Sequence, residues 1–141
     1  MNTRTLEDME RLESIEEIIL ELQAFADTGA IIVVEGRRDV ASLRSLGING
    51  EIRLASQQPL LEFTEQLSKS GKKIIVLTDW DKRGGMMARK IIDDLLFYGI
   101  VANTDIRSRI GILVRKSIKD IESLNSYVSR MRYELGGFRE V

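Results

Sequence analysis

The sequence predicts an α/β fold with about four mainly parallel strands and helices on both faces. Three observations predict it. Short β-branched runs such as "AIIVV" and "KKIIVL" show no polar alternation, as strands buried on both faces do. Between them lie segments whose apolar residues recur every three or four positions, the spacing of a helix with one buried face. The two kinds of segment alternate, so successive strands require right-handed crossovers rather than hairpins. A chain of 141 residues with 43% hydrophobic content can bury one compact core.

The elements follow in order. In "TLEDMERLESIEEIILELQAFADTGA", Leu6, Met9, Leu12, Ile15, Ile19, Leu22 and Phe25 form one helical stripe. Thr5 with Asp8 suggests a capping box at its start and Gly29 a stop. "AIIVVEG" is a first strand, and "RDVASLRSLG" a short helix closed by Gly47. "EIRLAS" reads as a weaker second strand, and "PLLEFTEQLSKSG" as a helix with the chain's only proline, Pro59, in its first turn. "KKIIVLTD" is a third buried strand. The next helix, "GGMMARKIIDDLLFYG", counts Met86, Ile91, Leu95 and Tyr98 among its apolar positions. "IVANTDI" suggests a fourth strand, and "IESLNSYVSRMRYELGG" a final helix stopping near Gly136. No linker, repeat or low-complexity stretch interrupts the alternation.

Composition narrows the chemistry. The chain has no Cys and no His, which removes disulfides, thiolate nucleophiles, Cys/His zinc sites and imidazole acid–base catalysis. Oxygen ligands remain, and these prefer hard cations such as Mg²⁺ or Mn²⁺. The 21 Lys+Arg nearly balance the 22 Asp+Glu, so any nucleic-acid contact must be local rather than a global basic field. The balance hides a gradient: residues 1–27 carry 2 basic and 8 acidic side chains, residues 28–106 carry 11 and 10, and residues 107–141 carry 8 and 4. The acidic first helix and basic last helix could pair within one chain or between copies, which leaves room for a homo-oligomer. No apolar run has the length of a membrane span and the acidic start is unlike a signal peptide, so a cytoplasmic protein with no membrane contact is expected.

Ligands of parallel sheets gather at the carboxyl ends of the strands, and two of those ends are acidic here. Glu35 closes the first strand; Asp79 and Asp81 follow the third. If the backbone stays extended through Trp80, the two aspartates share a side, and Glu35 joins them if the first and third strands are neighbours. Three converging carboxylates repel one another, and a divalent cation removes the conflict. Gly36 and Gly84, with Gly85, open the two following helices, where a phosphate can approach free amides. Arg37, Arg38, Lys82 and Arg83 on the same loops can neutralise phosphate oxygens. Each motif alone has a plainer account: Asp-x-Asp can cap the next helix, and Glu35 can pair with Arg37 or Arg38.

"VVEGRRD" and "LTDWDKRGG" resemble the two signature motifs of the Toprim domain, with Glu35, Gly36 and Asp39 in the first and Thr78, Asp79, Asp81 and Gly84 in the second. That family includes bacterial-type primases, type IA and II topoisomerases, OLD-family nucleases, RecR-type recombination proteins and the ribosomal RNA maturase ribonuclease M5. The resemblance covers residues 29–106 and is greatest to the small stand-alone members. Residues 1–28 then form a helix packed on this core, and residues 107–141 an extension with the last helix. It implies a Rossmann-like sandwich, Mg²⁺ held by Asp79 and Asp81, and Glu35 as general acid or base or as a further ligand. Asp39 would steady the first loop from behind the metal, with a helix N-terminal contact as the plain alternative, and Thr78 belongs to the same supporting set. A third acidic motif is not evident; Asp120 and Glu122 are candidates for it. Without a suitable Tyr or strand-gate domain, a topoisomerase is not expected.

The resulting expectation is an Mg²⁺-dependent protein acting on RNA or DNA phosphodiesters, as a ribonuclease M5-like nuclease or by primase-like nucleotidyl transfer. Nucleic acid and a partner protein or ribonucleoprotein are the expected partners. The alternatives are a non-catalytic binding or scaffold module with a structural metal site, and a phosphatase of the haloacid dehalogenase type. The latter needs its nucleophilic Asp on the first strand, where Glu35 stands.

Overall fold

The computed structural model describes residues 2–139. Its strands are β1 (Ile31–Val34), β2 (Glu51–Leu54) and β3 (Ile74–Val76). They form one fully parallel sheet of order β2-β1-β3, with Ile32 opposite Ile52 on one side and Ile75 on the other. β1 is therefore central, and the first and third strands are neighbours.

Because side chains alternate across a strand, the sheet feeds two cores. Ile32, Val34, Ile75 and Leu77 pack with α1 (Thr3–Asp27), α2 (Arg37–Ser45), α5 (Asp105–Val114) and α6 (Leu124–Arg139). Ile31, Val33, Ile74 and Val76 pack on the other face with α3 (Leu60–Lys69) and α4 (Lys82–Phe97). Both faces are covered, which explains the unbroken apolar runs in β1 and β3.

α1 is part of the domain rather than an appendage. Leu12, Ile15, Ile18, Ile19 and Leu22 are buried along its stripe; at about 1.5–3 kcal/mol for each large aliphatic side chain, no other feature of the helix contributes as much. Its acidic face is used internally. Glu21 accepts from Arg109 of α5, and Glu16 from Arg132 of α6. The acidic beginning and basic end of the chain thus pair within one molecule.

Several expectations are corrected. The cap of α1 is Asn2, whose side chain accepts from the Thr5 N–H at 2.8 Å, while Asp8 pairs with Arg11. Pro59 is the N-cap of α3, one residue before the helix. The fourth strand shrinks to one bridge between Ile75 and Asn103. The Asn103 side chain accepts from the Ile106 N–H at 3.3 Å, so the chain turns into α5 directly after the bridge. α4 buries Gly84, Ala88, Ile91 and Leu95 and leaves Met86 65% exposed, while Tyr98 is the C-cap beyond the helix and 46% exposed. α6 runs through Gly136 rather than stopping there. No helix among the described residues is long and apolar enough to cross a membrane.

Candidate active site

The carboxyl ends of β1 and β3 bring the two acidic motifs into contact. Beyond β3 the pairing persists through Leu77, whose N–H donates to the Val33 carbonyl at 2.8 Å. Two residues later the Asp79 N–H donates to Glu35 Oε2 at 2.8 Å. Glu35 thus fixes the backbone of the second motif. On the other side, Asp79 Oδ1 accepts the Ile121 N–H at 3.0 Å, and the Trp80 N–H donates to the Lys119 carbonyl at 2.7 Å. The segment before α6 therefore clamps the Asp-x-Asp loop.

Asp81 does something different. It is the N-cap of α4, its Oδ1 accepting the Gly84 N–H at 2.7 Å, so the plainer account of this carboxylate describes its contacts. Buried Thr78 donates to the Gly84 carbonyl at 2.7 Å, tying loop to helix. Gly84 is required by this closeness: a Cβ there would stand 2.1 Å from the Asp79 carbonyl oxygen. At Gly36 a Cβ would meet nothing within 4 Å, so nothing in the fold demands glycine there. Asp39 is buried and accepts the Gly36 N–H at 3.0 Å, the helix N-terminal contact foreseen for it.

A cleft of about 450 Å³ lies over these groups. It brings together Glu35, Gly36, Arg37, Arg38, Asp39, Asp79 and Arg83, and adds Ser56 and Glu122. Ser56 donates to the Glu35 carbonyl, and Glu122 pairs with Arg38 at 3.4 Å. Of the two late acidic candidates, Glu122 reaches the cleft, whereas Asp120 accepts the Ser123 N–H at 2.7 Å. Lys82 is outside it, facing an adjoining groove along α4. A larger cleft of about 840 Å³ between α1, α5 and α6 contains no residue of the two motifs.

Sequence reasoning missed Arg107. This half-buried side chain of α5 donates through Nε to the Thr78 carbonyl at 2.9 Å and through a terminal nitrogen to the Asp79 carbonyl. Burial lowers its pKa, while Glu35, Asp79 and Asp81 act to raise it. Beside it, the Trp80 indole donates to the Arg107 carbonyl at 2.8 Å and lies where a Cβ at Gly111 would come within 2.7 Å. No local pattern around "DIRSRIG" signals this role, because every partner is distant in sequence.

Burial, followed by the nearby Glu35 and Asp39, raises the Asp79 carboxyl from 3.8 to about 7, against the lowering effect of the Ile121 amide. Burial likewise raises Asp39. Both carboxyls thus favour the protonated form, and a positive charge beside them would restore the ionised one. The donors are all oxygen, as a hard divalent cation requires, and Glu35 and Asp79 are the pair whose mutual repulsion it would relieve. Among the described residues no group of three acidic side chains is set to enclose such an ion. Asp81 spends Oδ1 on the Gly84 amide, which leaves Oδ2 as its free oxygen.

Known proteins similar to this chain identify its family. The Toprim domain family model matches residues 30–111. The chain is 44% identical over 126 residues to a UPF0292 protein of Methanosarcina acetivorans, covering 89% of this chain and 88% of that one. It is 43% identical over 122 residues to UPF0292 protein MJ1624 of Methanocaldococcus jannaschii, covering 86% and 94%. A solved structure of a putative protein from Aquifex aeolicus superposes with a TM-score of 0.64 at 27% identity, over 77% of this chain and 95% of that one. Membership carries a general metal-dependent, nucleic-acid-related function. The chain belongs to the Toprim-domain family, related over most of its length to the archaeal UPF0292 proteins.

Proposed function

We propose that the protein is an Mg²⁺- or Mn²⁺-dependent enzyme acting on nucleic-acid phosphodiesters, hydrolysing them in the manner of a ribonuclease M5-like nuclease. The observation that carries this reading is the contact between Glu35 and Asp79 on the floor of a cleft whose walls hold Arg37, Arg38 and Arg83. Acid below and base above suit a phosphodiester: the arginines bind its non-bridging oxygens, which the carboxylates alone would repel. Glu35 and Asp79 would hold a divalent cation, which would supply positive charge to a bound phosphate. Glu35 accepts the proton of the attacking hydroxyl or water as the P–O bond to the leaving oxygen breaks, and solvent protonates that oxygen. Arg107 and Thr78 hold the Asp79 loop so that the two carboxylates keep their relation. The same geometry serves nucleotidyl transfer if a 3′ hydroxyl replaces water.

The nucleic acid is expected to be RNA or DNA handled with a partner protein or ribonucleoprotein, and a homo-oligomer is compatible with this use. Incubating the protein with labelled structured RNA and single-stranded DNA, in Mg²⁺, Mn²⁺ or EDTA, tests the reading. Metal-dependent cleavage supports it, and intact nucleic acid under every condition refutes it. One observation favours a second reading, a non-catalytic binding module: Asp81 caps α4 instead of facing Glu35 and Asp79. Metal-dependent binding without turnover is the outcome that selects it.

A further inference from the structure

A groove of about 830 Å³ runs beside the acidic cleft, between the start of α3 and the first turns of α4. The two share Arg83 and Met87, so they adjoin at the start of α4. Its floor is apolar, formed by Leu60, Met86 and Met87, and Met86 is 65% exposed. Its rim is cationic: Lys82, Arg83, Arg89 and Lys90 face a single acidic lining residue, Asp93. Lys90 pairs with Asp94 at 3.2 Å. Lys82, Arg83 and Arg89 take part in none of the ion pairs among the described residues.

An exposed thioether among unpaired cations suits a ligand that offers flat apolar faces and negative charge together. An unpaired nucleic-acid strand offers both, its bases packing on the floor and its phosphates meeting the rim. A duplex does not, because its base faces are stacked inside and only edges reach its grooves. We propose that this groove seats an unpaired stretch of the strand whose phosphodiester occupies the acidic cleft, so that the protein prefers single-stranded to duplex substrate. The inference rests on the reading that the cleft acts on a phosphodiester, and it names the substrate class. From Lys82 to Lys90 the helix extends about 12 Å, which accommodates a few nucleotides.

The test is fluorescence anisotropy in EDTA with a labelled short oligonucleotide, as RNA and as DNA, single-stranded and annealed to its complement. The full chain is compared with Met86→Glu, Arg89→Glu and the double variant. The single strand is expected to bind about ten-fold tighter than the duplex, and the double variant to lose about ten-fold or more of that affinity. Arg89→Glu should also reduce the slope of log affinity against log salt by about one. Hydrolysis of a small phosphodiester such as bis(4-nitrophenyl) phosphate should be unchanged in the variants, since it does not reach the groove. Equal binding of duplex and single strand, undiminished binding by the double variant, or a groove that instead mediates self-association overturns the proposal. If strand binding follows the groove while no metal-dependent cleavage is found, the catalytic reading fails and the groove stands.

Discussion

Glu35 Oε2 accepts the backbone N–H of Asp79 at 2.8 Å, joining residues 44 positions apart at the ends of adjacent parallel strands. The bond gives Glu35 a structural duty beside any chemical one, and substitutions can separate the two. Glu35→Gln keeps a carbonyl acceptor for the amide, so the melting temperature should hardly move while turnover falls at least about 100-fold. Glu35→Ala leaves the amide without its partner and should destabilise by about 1–3 kcal/mol. Paired thermal melts and cleavage assays on both variants distinguish these effects.

Asp79 makes stability depend on pH in a definite direction. Its carboxyl titrates near 3.8 when unfolded and at about 7 when folded, raised first by burial and then by Glu35 and Asp39. The folded protein therefore binds that proton more tightly. The group's contribution to stability is greatest below the unfolded value, declines as pH rises toward 7 and is constant above it. Asn at this position keeps an oxygen for the Ile121 amide and carries no charge. Metal-free Asp79→Asn should therefore equal the wild type near pH 4 and melt at higher temperature at pH 8. Melting curves across that range in EDTA check this; parallel curves would show that Asp79 is not strained by its neighbours.

Gly84 and Gly85 are adjacent yet should respond oppositely to the same change. Gly84→Ala forces a Cβ against the Asp79 carbonyl at 2.1 Å and should cost about 3 kcal/mol or more, with loss of activity. At Gly85 a Cβ would meet only an Arg107 nitrogen at 3.9 Å. Gly85→Ala should therefore be neutral or stabilise α4 by up to about 1 kcal/mol. Urea unfolding midpoints of the two variants measure the contrast.

Arg107 should be irreplaceable by lysine. Its fork spans the Thr78 and Asp79 carbonyls, and a lysine ammonium on a single stem cannot reproduce that planar pair of donors. Arg107→Lys is expected to lose about ten-fold or more in kcat and about 1–3 kcal/mol of stability, although charge is conserved. Trp80, the chain's only tryptophan, donates to the Arg107 carbonyl and should report the loosened loop through its fluorescence.

What could be read from sequence was what neighbours along the chain determine. β1 and β3 stood out because both their faces are buried, α1 because its stripe recurs from Leu6 to Phe25, and the two motifs because charge at a buried strand's end is unusual. The fourth strand misled because β-branched composition cannot foresee that the Asn103 side chain accepts the Ile106 N–H and the chain enters α5 at Asp105. Met86 misled because it is two residues from Gly84 and Ala88, which places it on the opposite side of α4 from the buried stripe. Arg107, the Ile121 amide and the turning of Asp81 onto the Gly84 amide depend on contacts or orientations that no local pattern encodes.

The central claim is that Glu35 and Asp79 together require a doubly charged cation. Titrating metal-free protein with Mg²⁺ at pH 8, and following the melting temperature, tests it most directly. The wild type should show a saturable rise, and Glu35→Gln and Asp79→Asn should each remove most of it. An equal rise in all three proteins would mean that the ion binds elsewhere and would contradict the account.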